Sequence, residues 1–477
     1  MLLMRDERAR KEAEARFERH ASLVADVHAG RADLRAVHGE KLVRTLAAAA
    51  RSELYADVLP QDLRDALAGG TVDPVRALDE ILPSLPLLEK PLLGKLGQGA
   101  FTRQLEEFVH YYESSGTTGN PIAAPKAVDD LVANTVNIGE MWGRMVSPGD
   151  AAMILINAPF APAAYQFEKV LEYLGVMSLR PWVDNITGDY SRVLRLVEDL
   201  KVNVFVGPPS RLLELIQFAR RQGAAVPRFK TLLLMAEQTG PSFLRHLERL
   251  TGATAYVAAY GSSETGTTAV SCEEGSLHLQ TQSYVLELLD DSGTRLIDGS
   301  PDRGELVVTT LDLDGRPLLR YRTGDLVETD SGGCACGLAL PVLRTQGRSQ
   351  DVLPLSDRGI RQNDVEARMW AQTAPRPIVL NYMLILRGDD VLCLTTTDEP
   401  PAPSWAEEMA DTLADLFPGK RPAVRAVEQL PPLASLGQYL GWKLSRVLDL
   451  DEERNWDRLP APIADIVRKT LAELASS

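Results

Sequence analysis

Residues Tyr111–Pro121 read Y-Y-E-S-S-G-T-T-G-N-P, and the rest of the chain can be ordered around them. Ser114, Ser115, Gly116, Thr117, Thr118 and Gly119 combine hydroxyl side chains with two glycines and contain no carboxylate. Glycine reaches backbone angles closed to other residues and lets a ligand come close to the main chain. Successive amide N–H groups in such a loop can turn inward as an anion nest, with the hydroxyls adding donors. A polyphosphate would meet donors only. Taken alone, the stretch reads equally well as a polar surface turn, so its neighbours decide the matter.

Downstream of it, short apolar runs alternate with helical spacing. Ala151–Ile156, Val202–Val206, Thr231–Met235 and Thr254–Ala259 read as buried strands. Gln166–Leu174, Tyr190–Leu200, Ser210–Gln222 and Pro241–Leu250 read as the helices between them. Buried strands alternating with helices predict βαβ units and a doubly wound, mainly parallel sheet, an α/β fold. Ligands on such sheets bind where strands end and loops begin.

Upstream, residues 1–100 read as a mostly helical segment. Met4–Ala29 carries a thin apolar stripe of Phe17, Leu23, Val24 and Val27, and Leu42, Val43, Leu46, Leu54 and Leu59 continue it. Pro83, Pro86 and Pro91 then break the pattern. No chemistry is legible in this segment. Its expected job is to cover the larger domain or to mediate dimerisation.

After Leu279 the rhythm turns to short strands at Val285–Leu289, Gly304–Thr310 and Pro317–Arg322, a β subdomain over about 279–346 within a core of 101–350. Gly347–Asp351, G-R-S-Q-D, punctuates the chain as a hinge. Residues 351–477 form a small α+β domain: Val379–Leu386 and Val391–Thr396 flank R-G-D-D as a hairpin, with helices around Ser404–Phe417 and Ile463–Leu474.

Bulk properties exclude several classes. At 477 residues the chain is too long for one ordinary domain. A net charge of −15 argues against a general nucleic-acid partner, and it requires any anionic ligand to be held by a local site. No apolar run approaches the roughly 18 residues of a membrane span. The charged start, M-L-L-M-R-D-E-R, is unlike a secretory signal, so a cytoplasmic enzyme is expected. Four cysteines are no disulfide framework.

Four further stretches accompany the glycine-rich loop in order: Y-G-S-S-E-T-G at Tyr260–Gly266, Y-R-T-G-D-L at Tyr321–Leu326, G-R-S-Q-D at Gly347–Asp351, and W-K-L-S-R-V-L-D at Trp442–Asp449. Together these resemble the motifs of the adenylate-forming superfamily, the acyl-CoA synthetases, adenylation domains and luciferases, and most of all its phenylacetate-CoA ligase branch. The similarity runs from about residue 80 to 450.

The resemblance implies a large N-terminal domain and a small mobile C-terminal one that rotates about the hinge, with Asp351 as pivot. It implies that a small carboxylic acid attacks the α-phosphorus of MgATP, giving an acyl-adenylate. Coenzyme A, or the phosphopantetheine of a carrier protein, then takes the acyl group. Residues 114–119 would hold the β- and γ-phosphates, although the lysine frequent just after the loop is replaced by Asn120. Glu264 would ligate Mg²⁺, Tyr260 beside Gly261 would stack on adenine, and Ser263 would bond near the α-phosphate. Asp325 would accept from the ribose hydroxyls, as an acceptor-only carboxylate can, and Arg348 would add a ribose or phosphate contact. Lys443 would be the catalytic lysine, stabilising charge as the transition state forms. Trp442 stands where a glycine usually precedes it.

The acyl pocket implied by the family would be walled by Phe160, Tyr165 and Trp182, with Ala236, Ala258 and Ala259 leaving space for an aromatic or medium apolar acid. The relatives' glycine-rich run near Phe160 is here A-P-F-A-P-A-A-Y. Cys272, His278, Cys334 and Cys336 flank the β subdomain, and thiolates with imidazole are the ligand set of closed, structural zinc. Buried or incidental thiols are the other reading. Transfer of the acyl group to an amine, a non-catalytic nucleotide-binding homologue, and a phosphate-loop NTPase are the alternatives. The last lacks its G-K-[S/T] ending.

Overall fold

The computed structural model describes residues 4–114, 121–156, 160–183, 188–330, 333–348, 360–388, 390–418, 422–430, 446–451, 453–459 and 461–474. Two compact units divide the chain. The first holds 1–152, 159–178 and 257–349; the second holds 153–158, 179–256 and 350–477.

The first unit opens with the predicted helices, Glu7–His28 and Leu34–Ala49. Each starts on an aspartate whose carboxylate accepts from a first-turn amide: Asp6 from Ala9 N and Asp33 from Ala36 N. Such caps contribute about 1 kcal/mol each. Val24 and Val27 are buried as the stripe requires, and Phe17 packs edge-on against Tyr173. Leu42 and Leu46 join Leu54, Leu59 and Leu82 in one apolar cluster with Val285, Leu311, Leu318 and Leu319. The helical segment therefore shares its core with the β region, and burial of that shared surface holds the two together.

The strands of this unit's sheet pair antiparallel from the Tyr260 hairpin onward. Its strands lie in the order Thr254–Ser262, Gly266–Ser271, Leu277–Leu279, Val342–Arg348, Tyr321–Asp330, Asp302–Thr310, Tyr284–Asp290 and Gly293–Leu296. Antiparallel pairing thus begins at the hairpin around Gly261–Gly266, earlier than the boundary near 279. The strand expected at Pro317–Arg322 starts at Tyr321 instead. The reason is Arg320, whose φ of 51° cannot continue a strand. Its buried guanidinium ties that kink down, donating to Glu287, to Pro83 O at 2.9 Å and to Leu85 O at 2.6 Å.

In the second unit Val204–Gly207 and Thr231–Met235 pair in parallel, with helix Pro209–Arg221 between them in sequence: the βαβ arrangement predicted for this stretch. The unit also holds a four-stranded sheet in the order Ala423–Ala426, Asp390–Thr397, Val379–Arg387, Val447–Asp449. The predicted hairpin forms its antiparallel centre, and both outer strands are parallel. Among the described residues no helix is long and apolar enough to cross a membrane.

Candidate active site

The hairpin that returns at Ser262–Gly266 is built from residue requirements that leave little choice. A side chain at Gly261 would meet Gly266 O at 2.1 Å, and Gly266 takes a φ of 75°. Thr265 ties the turn by accepting from Ser262 N and donating to Gly266 O. The Tyr284 hydroxyl donates to Thr265 O at 3.0 Å. Glu264 is thereby held with only 2% of its side chain exposed.

Three cations surround it. The Lys90 ammonium lies 3.1 Å from Glu264 Oε1, and Arg316 Nη2 donates to Glu264 O at 2.9 Å. Lys126 is buried close by, and burial pushes its ammonium down to about 8. Lys90 is the ion-pair partner of Oε1. Burial works to raise the Glu264 carboxyl, yet the Lys90 ammonium, local hydrogen bonds and Arg316 outweigh it and hold it below the ordinary carboxylate range. A buried, ionised carboxylate suits a hard divalent cation held together with phosphate oxygens.

On the same hairpin, the Tyr260 hydroxyl donates to Asp325 Oδ2 at 2.7 Å, joining motifs 65 residues apart in sequence. Asp325 sits on a turn in which Gly324 takes a φ of 76° and Thr323 Oγ1 accepts from Asp325 N. Asp325 is paired in register with Arg348, which brings those two backbones side by side. Ser263 is half-buried beside Glu264. At the base of the glycine-rich loop, Ser114 N donates to Ile122 O and Ser114 Oγ accepts from Ile122 N. Ser115, Gly116, Thr117, Thr118, Gly119, Asp351, Trp442 and Lys443 lie outside the described residues.

The acyl-pocket candidates divide between the units. In the first, Phe160 is 56% exposed and its carbonyl accepts from Glu113 N. Tyr165 packs on His110 with ring centroids 4.1 Å apart, and Ala259 lies half-buried on the Tyr260 strand. In the second, Trp182 is 77% exposed and Ala236 takes a φ of 73°.

Lys90 and Arg316 were not singled out by sequence reasoning, which gave the first hundred residues no chemistry. Both arrive at Glu264 through tertiary contacts, and nothing in E-K-P or D-G-R-P signals it. Lys126 is the basic residue nearest the loop in sequence, a signal that was available.

The four Cys/His candidates converge: their ligand atoms all lie within 4.8 Å of one another. Cys336 Sγ is 3.3 Å from His278 Nε2, and Cys272 Sγ is 3.7 Å from Cys334 Sγ. His278 Nδ1 lies 3.0 Å from Leu340 O, a bond it can make only as donor, which leaves Nε2 facing the thiols. Burial works to raise the Cys334 thiol, but backbone and side-chain hydrogen bonds around it draw it down to about 6. Burial pushes Cys336 up to about 12.

The family model for AMP-binding enzymes matches residues 106–311. Phenylacetate-coenzyme A ligase of Thermus thermophilus is 29% identical over 382 residues, 76% of this chain and 80% of the relative. The chain is thus similar to AMP-binding enzymes over 106–311 and to phenylacetate-CoA ligases over about three quarters of its length. Phenylacetate-coenzyme A ligase of Escherichia coli K12 is 27% identical over 263 residues, 53% of this chain and 58% of the relative. In fold, the chain is similar to 2-hydroxyisobutyryl-CoA ligase solved with 2-HIB-AMP. The TM-score is 0.72 at 18% identity, covering 92% of this chain and 91% of that one.

Proposed function

We propose that the chain is an AMP-forming acid–thiol ligase that converts a small carboxylic acid to its CoA thioester in two half-reactions. A carboxylate oxygen attacks the α-phosphorus of ATP and pyrophosphate leaves. The CoA thiol then attacks the acyl carbon, and AMP leaves with the bridging oxygen. The observation that carries this reading is the convergence of Glu264 and Tyr260, on one hairpin, with Asp325, which the Tyr260 hydroxyl reaches on a non-adjacent strand of the sheet.

Each residue's part follows from its chemistry. The Tyr260 ring offers a stacking face for adenine, its hydroxyl is tied to Asp325, and Asp325, an acceptor-only carboxylate, is assigned the ribose hydroxyls. Glu264 would hold Mg²⁺, which when bound neutralises charge developing on the phosphates. Ser263, Arg348 and the loop of Ser114–Gly119 are assigned donors to the phosphates and ribose. Lys443 is assigned the α-phosphate. The acid would lie against Tyr165, Phe160 and Ala259.

Acid-dependent exchange of pyrophosphate into ATP across a panel of carboxylic acids, followed by addition of CoA, tests this. Exchange with thioester formation supports the ligase. Exchange without a CoA product points to a carrier-protein thiol or an amine as acceptor, and orthophosphate release contradicts the reading. A cytoplasmic location fits an enzyme drawing on ATP and CoA.

We also assign Cys272, His278, Cys334 and Cys336 a structural zinc ion. Their donor set and spacing support a closed four-ligand site, which would staple the 272–278 turn to the 334–340 loop and take no part in the reaction. One zinc per chain is expected by elemental analysis. Cys336→Ser should weaken zinc retention by more than the roughly 10–100-fold that loss of an outer partner costs. Metal-free protein of full thermal stability would rule the ion out.

A further inference from the structure

The segment Asp312–Arg320 is gripped along its length by residues between Lys41 and Phe108. Lys41 Nζ lies 2.6 Å from Asp312 Oδ2. Thr102 donates to Asp314 O through its hydroxyl and to Gly315 O through its amide, the latter at 3.0 Å. A side chain at Gly315 would run into Phe108 at 2.4 Å. The buried Tyr55 hydroxyl donates to Pro317 O at 3.1 Å and accepts from Leu319 N at 2.8 Å. Leu88 N donates to Arg320 O at 2.9 Å.

Arg316, in the middle of this clamped segment, points to the site. It is 4% exposed, and its Nη2 donates to Glu264 O at 2.9 Å. Its Nε and Nη1 are buried and meet no hydrogen-bond partner among the described residues. Burying a guanidinium for one hydrogen bond costs more in lost hydration than that bond returns, and an apolar side chain of similar volume would pack there without the cost. Stability therefore gives no reason for an arginine. What the residue supplies is a fixed donor on the main chain of the glutamate assigned to Mg²⁺.

We propose that Arg316 is a positioning residue for the metal step: anchored by the N-terminal segment through Tyr55, it fixes the Glu264 turn so that the carboxylate meets Mg²⁺ and nucleotide together. This rests on the assignment of Glu264 as metal ligand. It gives the first hundred residues a part in nucleotide binding through the loop they hold.

The test is calorimetric titration of the full chain with α,β-methylene-ATP, with and without Mg²⁺, so that no turnover is read. The parent is expected to bind more tightly with Mg²⁺. Arg316→Met should lose about tenfold or more of that Mg²⁺-dependent gain, the size expected for an outer-shell partner, with metal-free affinity unchanged. Arg316→Lys, which keeps a charged donor, should recover part of it, and Tyr55→Phe should lose part of it. An unaltered gain in folded Arg316→Met, or equal losses with and without Mg²⁺, overturns the proposal. Tyr55→Phe introduces no unpaired buried charge and decides the case by itself if Arg316→Met does not fold: its full gain would equally overturn it. Glu264→Gln separates the two levels. If it keeps the gain, the metal-ligand assignment fails and the proposal with it. If it loses the gain while both Arg316→Met and Tyr55→Phe keep theirs, the proposal alone fails.

Discussion

Replacing Lys443 by alanine is expected to abolish acid-dependent pyrophosphate exchange while leaving ATP binding nearly intact. The reason is electrostatic. Negative charge builds around the α-phosphorus as the carboxylate oxygen adds and pyrophosphate departs, and a fixed ammonium there acts on the transition state far more than on bound ATP. Losing one such preorganised contact costs about 10²–10³-fold in rate. The stretch leading out of this motif is firmly held. The Arg446 guanidinium lies between the Phe243 and Tyr382 rings, 4.8 and 5.0 Å from their centroids, and Leu384 N donates to Arg446 O at 2.8 Å. Strand Val447–Asp449 follows at once. Exchange rates measured on the purified Lys443→Ala variant, beside its ATP affinity, decide the matter: unchanged exchange removes Lys443 from the mechanism.

Glu264→Gln is expected to lower exchange by a similar factor, about 10²–10³-fold. Glutamine keeps the shape and one acceptor oxygen but removes the charge that a hard cation requires. The carboxyl is held below the ordinary range by Lys90 against the opposing effect of burial, so at neutral pH the parent carries a full charge and the variant none. Raising the Mg²⁺ concentration should recover part of the lost rate. A variant with parental rate and parental Mg²⁺ requirement would show that the metal is held elsewhere.

Those parts of the site that were legible in the sequence share a physical feature: the backbone admits few other residues. Gly261 has no room for a side chain, Gly266 and Gly324 need positive φ, and the motifs around them stand out for that reason. The Cys/His group was legible through scarcity, since three of four cysteines and one of six histidines fall near one subdomain. The helices were legible from apolar spacing, as Val24, Val27, Leu42 and Leu46 confirm by their burial.

What stayed hidden depends on tertiary contact. A buried apolar run such as Thr254–Ala259 does not reveal whether its neighbour runs parallel or antiparallel, so the early start of the antiparallel sheet was out of reach. Arginine carries no signal for the left-handed backbone that Arg320 adopts, and the strand was drawn through it. Lys90 and Arg316 reach Glu264 from 174 residues before and 52 residues after it, from stretches with no local pattern of their own.

The proposed reaction turns on one bond: a carboxylate oxygen joined to the α-phosphorus of ATP. An acid that supports exchange, labelled with ¹⁸O in both carboxyl oxygens, follows that bond directly. After full turnover with CoA, mass spectrometry should find one ¹⁸O in AMP and one in the thioester carbonyl. Unlabelled AMP, or label recovered in orthophosphate, would contradict it.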